Sequence, residues 1–381
     1  MLLAPVEVEK KSFFMECIIF FSRSALLLYT LFMKPEKVIV DWLNGYETPD
    51  QIQGTPVAFS TPHHMMHTPR NMEAQNTRIH YLTRSKDFKT LDEINAFLEF
   101  TVQNPYNMNK ALDEADLKDE ERDNLDYLDI IEQAYQSDGE KAMRLVLQSL
   151  LYSHQPIDAL LWIANHLSKT TKETYQMLSM AVCIAEVTLD EKKRDSLMGE
   201  FWSSQEFRPF MRAKATFADY LFSNNTSQAD IQKAIGTMEV LLEYDKQDHM
   251  GIRFLLMSIY SFQENFDKME ILNQRFPKDH QNPLFLYPMA YKHYRTVGPT
   301  HHTTQSFLAN AVQSNPFVVT IILDDQNIPF YEGSSFHKHS IEEAYYFLNI
   351  NYDYVEPDDR MVLWLSQAFQ DYLNSKQKGS S

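Results

Sequence analysis

Ala234, Met269 and Thr304 stand 35 residues apart, and Leu241, Phe276 and Ala311 repeat the same interval. They anchor three blocks: DIQKAIGTMEVLLEYDKQDH at 230–249, FDKMEILNQRFPKDHQNP at 266–283 and TQSFLANAVQSNPF at 304–317. Each block ends in a polar turn bearing Pro or Asp. Each follows an apolar helical stretch: FMRAKATFADYLF at 210–222, MGIRFLLMSIYSF at 250–262 and PLFLYPMAYKHY at 283–294. A unit of two helices and two turns is too small to bury its own apolar face, so copies of it must stack. An all-α array is therefore expected over residues 111–323.

Glycine usage narrows the chemistry. The nine glycines stand at 45, 54, 139, 199, 236, 251, 298, 333 and 379, never closer than nine positions. Dinucleotide fingerprints, phosphate-cradling loops and nucleophile elbows all need glycines within about five residues of each other, so the common nucleotide-dependent chemistries are excluded. Scarce glycine also favours helix over sheet. The 35 basic residues face 52 acidic ones, a net charge of −17 that repels nucleic-acid and anionic lipid surfaces. The densest basic stretch, DEKKRD at 190–195, is cancelled by its own acids. No nucleic-acid partner is expected. Two distant cysteines, Cys17 and Cys183, leave no disulfide framework or thiolate zinc site, which fits a reducing, cytoplasmic setting.

Outside the array the pattern changes. Residues 12–33, SFFMECIIFFSRSALLLYTLFM, are apolar, but Glu16 and Arg23 interrupt them. Each charge costs about 2.5–3.5 kcal/mol near a bilayer centre. Residues 1–33 read as an extension upstream of a start at Met33, with a membrane or interfacial anchor, a signal segment or a buried helix as alternatives. Residues 34–110 read as an irregular cap or linker with one or two helices, such as TLDEINAFLEFTV at 90–102. Residues 111–136 hold an acidic amphipathic helix with Leu112, Leu117, Leu125, Leu128, Ile131 and Tyr135 as its apolar stripe. EKAMRLVLQSLLYSHQP at 140–156 reads as the second helix of an earlier pair, with IDALLWIANHL at 157–167 and a long helix at 171–189 after it. The segment 324–381 departs from the repeat, and its two helices, SIEEAYYFLNINYDYV and EPDDRMVLWLSQAFQDYLNS, are expected to cap the array.

A period near 34 built from helix pairs is the pattern of tetratricopeptide repeats. Ala218 and Tyr260 fill that motif's small and tyrosine positions, and Pro316 its closing proline. Met257 and Met269 stand where small residues are usual, and SNNTSQAD at 223–230 lengthens the first turn. FWSSQEFRPFMRAKATFADYLF, DHMGIRFLLMSIY, RFP, NPFVVTIIL and SIEEAYYF together resemble a tetratricopeptide-type module of uncharacterised bacterial repeat proteins. They are also similar to the repeat region of the suppressor of tumorigenicity 7 family. The resemblance covers roughly residues 140–370. It implies a right-handed helical solenoid and a helical-repeat interaction protein without an established enzymatic site. The eukaryotic relatives' membrane segments have no counterpart after residue 33.

First helices of such a solenoid line a concave face that receives a peptide or a partner helix. With Ala218 at the small position, Arg212, Asp219 and Phe222 point toward this groove, joined by Ser258 and Phe262 of the next repeat. Arg212 is suited to clamp a partner carboxylate bidentately; the alternative pairs Arg208 and Arg212 with acids of their own chain such as Glu206. The leading expectation is a non-enzymatic scaffold that binds another protein and needs no cofactor. A second reading is a metal-dependent hydrolase using His63, His64 and His67 of TPHHMMHTPR, joined by His301 and His302 or by His337 and His339. Against it, Pro62 and Pro69 disfavour a helix that would align His63 with His67, and no Cys or carboxylate completes a ligand set. A third is a membrane-tethered adaptor, which requires residues 12–33 to be retained. No catalytic, cofactor-binding or metal-ligating residue is assigned.

Overall fold

The computed structural model describes residues 70–84, 86–153, 155–224, 227–323, 337–351 and 359–379. Among them are seventeen α-helices and no β-strand, so the fold is all-α. The described residues form two compact units. One runs up to Lys193 and includes Ser204–Ala213; the other comprises Arg194–Ser203 and the chain from Lys214 onward.

In the first unit lie α1 (Arg70–Arg84), α2 (Leu91–Val102), α3 (Pro105–Glu114), α4 (Asp119–Tyr135), α5 (Gly139–Ser149), α6 (Ile157–His166) and α7 (Thr171–Thr188). A short α8 (Glu191–Ser196) follows, and α9 (Arg208–Ser223) gives its first residues to this unit and the rest to the other. Helix starts follow local chemistry. The Thr90 and Thr170 side chains accept from Glu93 N–H and Glu173 N–H, and Asn104 caps α3 with Pro105 at its first position. The acidic stretch at 111–136 is not one helix. It breaks at 115–118, where Ala115 N–H returns to Ala111 and Leu112 and the Glu121 carboxylate accepts from Lys118 N–H to open α4. The break separates the apolar stripe. Leu117 and Leu125 join a core with Leu82 of α1 and Met108 of α3, while Ile131 packs with Ala142, Val146 and Trp162 of α5 and α6.

The second unit holds the remainder of α9, then α10 (Gln228–Tyr244), α11 (Ile252–Phe262), α12 (Phe266–Arg275), α13 (Pro283–Val297), α14 (His302–Ser314), α15 (Phe317–Leu323), α16 (Ile341–Ile350) and α17 (Asp359–Gly379). Helices α9 to α14 fall over the apolar and amphipathic stretches marked between 210 and 317. Ala234, Met269 and Thr304 are each fully buried, as are Leu241 and Ala311, whereas Phe276 is only partly so. α11 packs on α10, α12 and α13, and α13 packs on α14.

The two helices of each pair are buried to different extents. α10 buries one stripe, Ala234, Ile235, Met238, Leu241 and Leu242, and α12 buries only Met269 and Leu272. By contrast, α11 is buried from Leu255 through Ser261 and α13 from Pro283 through Tyr291. A helix apolar on all sides is stable only when covered on all sides. Part of that cover comes from the C-terminal helices. Tyr346, Phe347, Leu348 and Ile350 of α16 and Trp364 and Leu365 of α17 share one core with Leu284, Tyr287 and Tyr291 of α13 and Leu308 and Val312 of α14.

Candidate functional site

Arg212 is 1% exposed and enclosed by its own chain. Its Nε and Nη2 donate to Asp158 Oδ1 and Oδ2 at 2.8 and 2.7 Å, and its Nη1 and Nη2 donate to Glu73 Oε1 and Oε2 at 2.6 and 2.9 Å. Two carboxylates grip one guanidinium in two forks. Desolvation works against the charge, but Asp158 and Glu73 outweigh it and hold the guanidinium well above its ordinary pKa. Arg208 Nη1 lies 3.9 Å from Glu73 Oε1, which balances the second carboxylate. Tyr135 Oη donates to the Asp158 carbonyl at 3.0 Å, and the buried Tyr127 hydroxyl accepts from Ala159 N–H. Burial, then the Asp158 charge, pushes the Tyr127 hydroxyl well above its usual range.

The expected partner clamp is thus filled from within: every donor position of Arg212 that a partner carboxylate would use is bonded to Glu73 or Asp158. The self-pairing alternative holds, with different acids from those expected. Glu206 is taken by Lys193 Nζ at 2.8 Å. Asp158 was visible as the one acid inside the apolar run IDALLWIANHL. Glu73 lies 139 residues from Arg212 in a stretch read as irregular, and no local signal linked the two.

Three of the other four groove residues are also covered. Asp219 is 0% exposed, Phe222 is buried, and buried Ser258 donates its hydroxyl to the Ile350 carbonyl of α16. Only Phe262, at 55%, is exposed. Of the covered three, Ser258 lies under α16, whose Ile350 carbonyl accepts from it. The Phe347 ring packs on Tyr287 of α13 at 5.0 Å between centroids. Both Asp219 oxygens lack a hydrogen-bond partner among the described residues, and burial raises this carboxyl to about 7. Asp248 accepts from Ile252 N–H and Arg253 N–H, each at 2.8 Å, and so starts α11. Arg253 bridges Asp248 Oδ2 at 2.9 Å and Asp279 Oδ2 at 2.7 Å. Burial raises Asp248 to about 6, against the pull of Arg253 and the two amides.

Among the described residues, the histidines do not converge on a metal-holding group. His63, His64 and His67 lie outside the described residues. His301 Nδ1 accepts from Thr303 N–H at 3.3 Å as a helix cap, with the His302 ring 4.4 Å away. His339 Nδ1 bonds the Ser314 carbonyl. Among the described residues no three His, Cys, Asp or Glu side chains are arranged to hold a metal. One imidazole went unnoticed in the sequence. His249 Nδ1 sits 3.0 Å from both oxygens of buried Asp245, and its ring stacks on Trp202. Nothing but an ordinary i, i+4 spacing marked that pair. Among the described residues no single helix is long and apolar enough to cross a membrane. Compared with known proteins, the chain matches no family model, no curated protein and no solved structure.

Proposed function

We propose that the protein is a non-enzymatic scaffold of the tetratricopeptide-like kind, a right-handed stack of helix pairs that binds a peptide or helix of another protein without a cofactor. The observation that carries this reading is the 35-residue succession of buried positions, Ala234, Met269 and Thr304, on the second helices of three consecutive pairs. The packing of α11 on α13, first helix on first helix, supports stacking in register. Such a stack presents long helix faces whose side chains vary independently of the core, which suits recognition of one polypeptide by another.

Phe262, the exposed member of the expected groove set, is the contact offered to a partner, as an aromatic anchor of the type that dominates binding energy. Affinity purification of the full chain beside its Phe262→Glu variant tests the proposal. Loss of one stoichiometric protein from the variant, with circular dichroism unchanged, is the expected result. The same co-purifying proteins for both chains would overturn it.

A further inference from the structure

We propose that the uncovered sides of α2 are the docking surface for the chain's own apolar stretch, residues 12–33, which is held there by apolar contact and by the bases in and around it. The inference does not rest on the scaffold reading, and it takes residues 12–33 as translated and retained.

Seven of the twelve residues of α2, LDEINAFLEFTV, are apolar, yet the only one of the twelve that is fully buried is Thr101. α2 packs on α3, and Phe97 and Val102 lie against the core that holds Leu82 of α1 and Met108 of α3. That accounts for one side. Leu91, Phe100 and, at the start of α3, Tyr106 are 76%, 70% and 72% exposed. Nine residues apart, Leu91 and Phe100 stand on opposite sides of a helix of about 3.6 residues per turn, so α2 lies open on more than one side. A helix apolar on several sides is stable only when those sides are covered, and exposed apolar surface of this kind marks a contact.

The chain itself supplies an occupant. Residues 1–69, outside the described residues, lead directly into α1, whose Leu82 shares a core with Phe97 of α2. The 36 residues from 34 to 69 reach up to about 120 Å when extended, several times the radius of gyration of about 14 Å for a unit of this size, so reach sets no limit. The charges are complementary. Residues 91–106 carry Asp92, Glu93 and Glu99, all exposed, and no base, whereas residues 10–34 carry Lys10, Lys11, Arg23 and Lys34 against Glu16 alone. The same three acids disfavour a second copy of α2 or an anionic lipid surface as the occupant. The Phe, Ile and Leu side chains of 12–33 are themselves unfavourable in water, and one contact removes both surfaces from it.

The test places p-benzoylphenylalanine at the exposed position of Phe100 in the full chain, reads the intact mass of the purified protein, and maps photocrosslinks by mass spectrometry. Crosslinks within one chain to peptides from residues 12–33 are the expected result. Crosslinks to a second copy or to another protein, no crosslink at all, or a mature chain that lacks residues 12–33 would overturn the proposal. Hydrogen exchange gives a second readout with α2 itself unaltered. Ile18→Ser/Phe21→Ser should speed exchange of the α2 amides about tenfold or more, and Lys10→Glu/Lys11→Glu about threefold. Unchanged exchange of α2 in the Ile18→Ser/Phe21→Ser chain would also sink the idea. The scaffold reading is tested by the Phe262→Glu purification, which does not involve α2, so either can fail alone.

Discussion

Asp219 turns the stability of this protein into a function of pH. Its carboxyl is fully buried, lacks a hydrogen-bond partner among the described residues, and is raised by desolvation from 3.8 to about 7. Between those values the folded chain holds a proton that the unfolded chain has released, so stability declines as pH climbs through that window. A pKa unit is worth about 1.36 kcal/mol, and a shift of about three units sets a ceiling of roughly 4 kcal/mol on the decline. Asp219→Asn keeps the shape and removes the titration. The variant should match the natural chain near pH 4 and gain on it steadily until about pH 7, then hold a constant advantage. Asp248, raised to about 6, titrates in both proteins and drops out of the difference. Urea unfolding at half-unit steps from pH 4 to 8, with equal m-values, reads the effect directly. A difference in stability that stays flat across this range would refute the burial argument.

Other perturbations separate the parts of the fold. Arg212→Met should destabilise by about 3–5 kcal/mol because it strands two buried carboxylates, and replacing Glu73, Asp158 and Arg212 together with apolar residues should recover most of that in denaturant titrations. Met269→Ala should cost about 2–5 kcal/mol, whereas Ile271→Ala on the same helix, 65% exposed, should cost less than about 0.5 kcal/mol by the same titration. Lys268 joins α12 to Glu239 of α10; Lys268→Ala should shift stability by no more than about 1 kcal/mol, and unfolding in 1 M salt should erase the difference.

Much of the helical order was legible because it is written locally. Apolar spacing, capping Thr, Asn and Ser residues, and Asn-Pro starts at α3 and α13 mark elements from neighbouring residues alone. The 35-residue interval was legible for a related reason: Ala234, Met269 and Thr304, which mark it, are all buried helix positions. The candidate site was less legible because its decisive contacts are distant in sequence. Glu73 reaches Arg212 across 139 residues, and Ser258 meets Ile350 across 92. A groove assigned from first-helix register alone takes no account of contacts from distant parts of the same chain, such as Glu73 on Arg212 and Ile350 on Ser258. The acidic stretch at 111–136 misled differently: its charge and spacing suit a helix throughout, but Leu117 and Ile131 serve two separate cores, and the break at 115–118 lets each face its own.

Native mass spectrometry of the full chain purified from its own cells, alongside Phe262→Glu, tests the scaffold proposal most directly. The expected spectrum shows the natural chain bound to a second polypeptide in fixed ratio and the variant without it. A chain recovered alone, or an identical complex from both proteins, would contradict it.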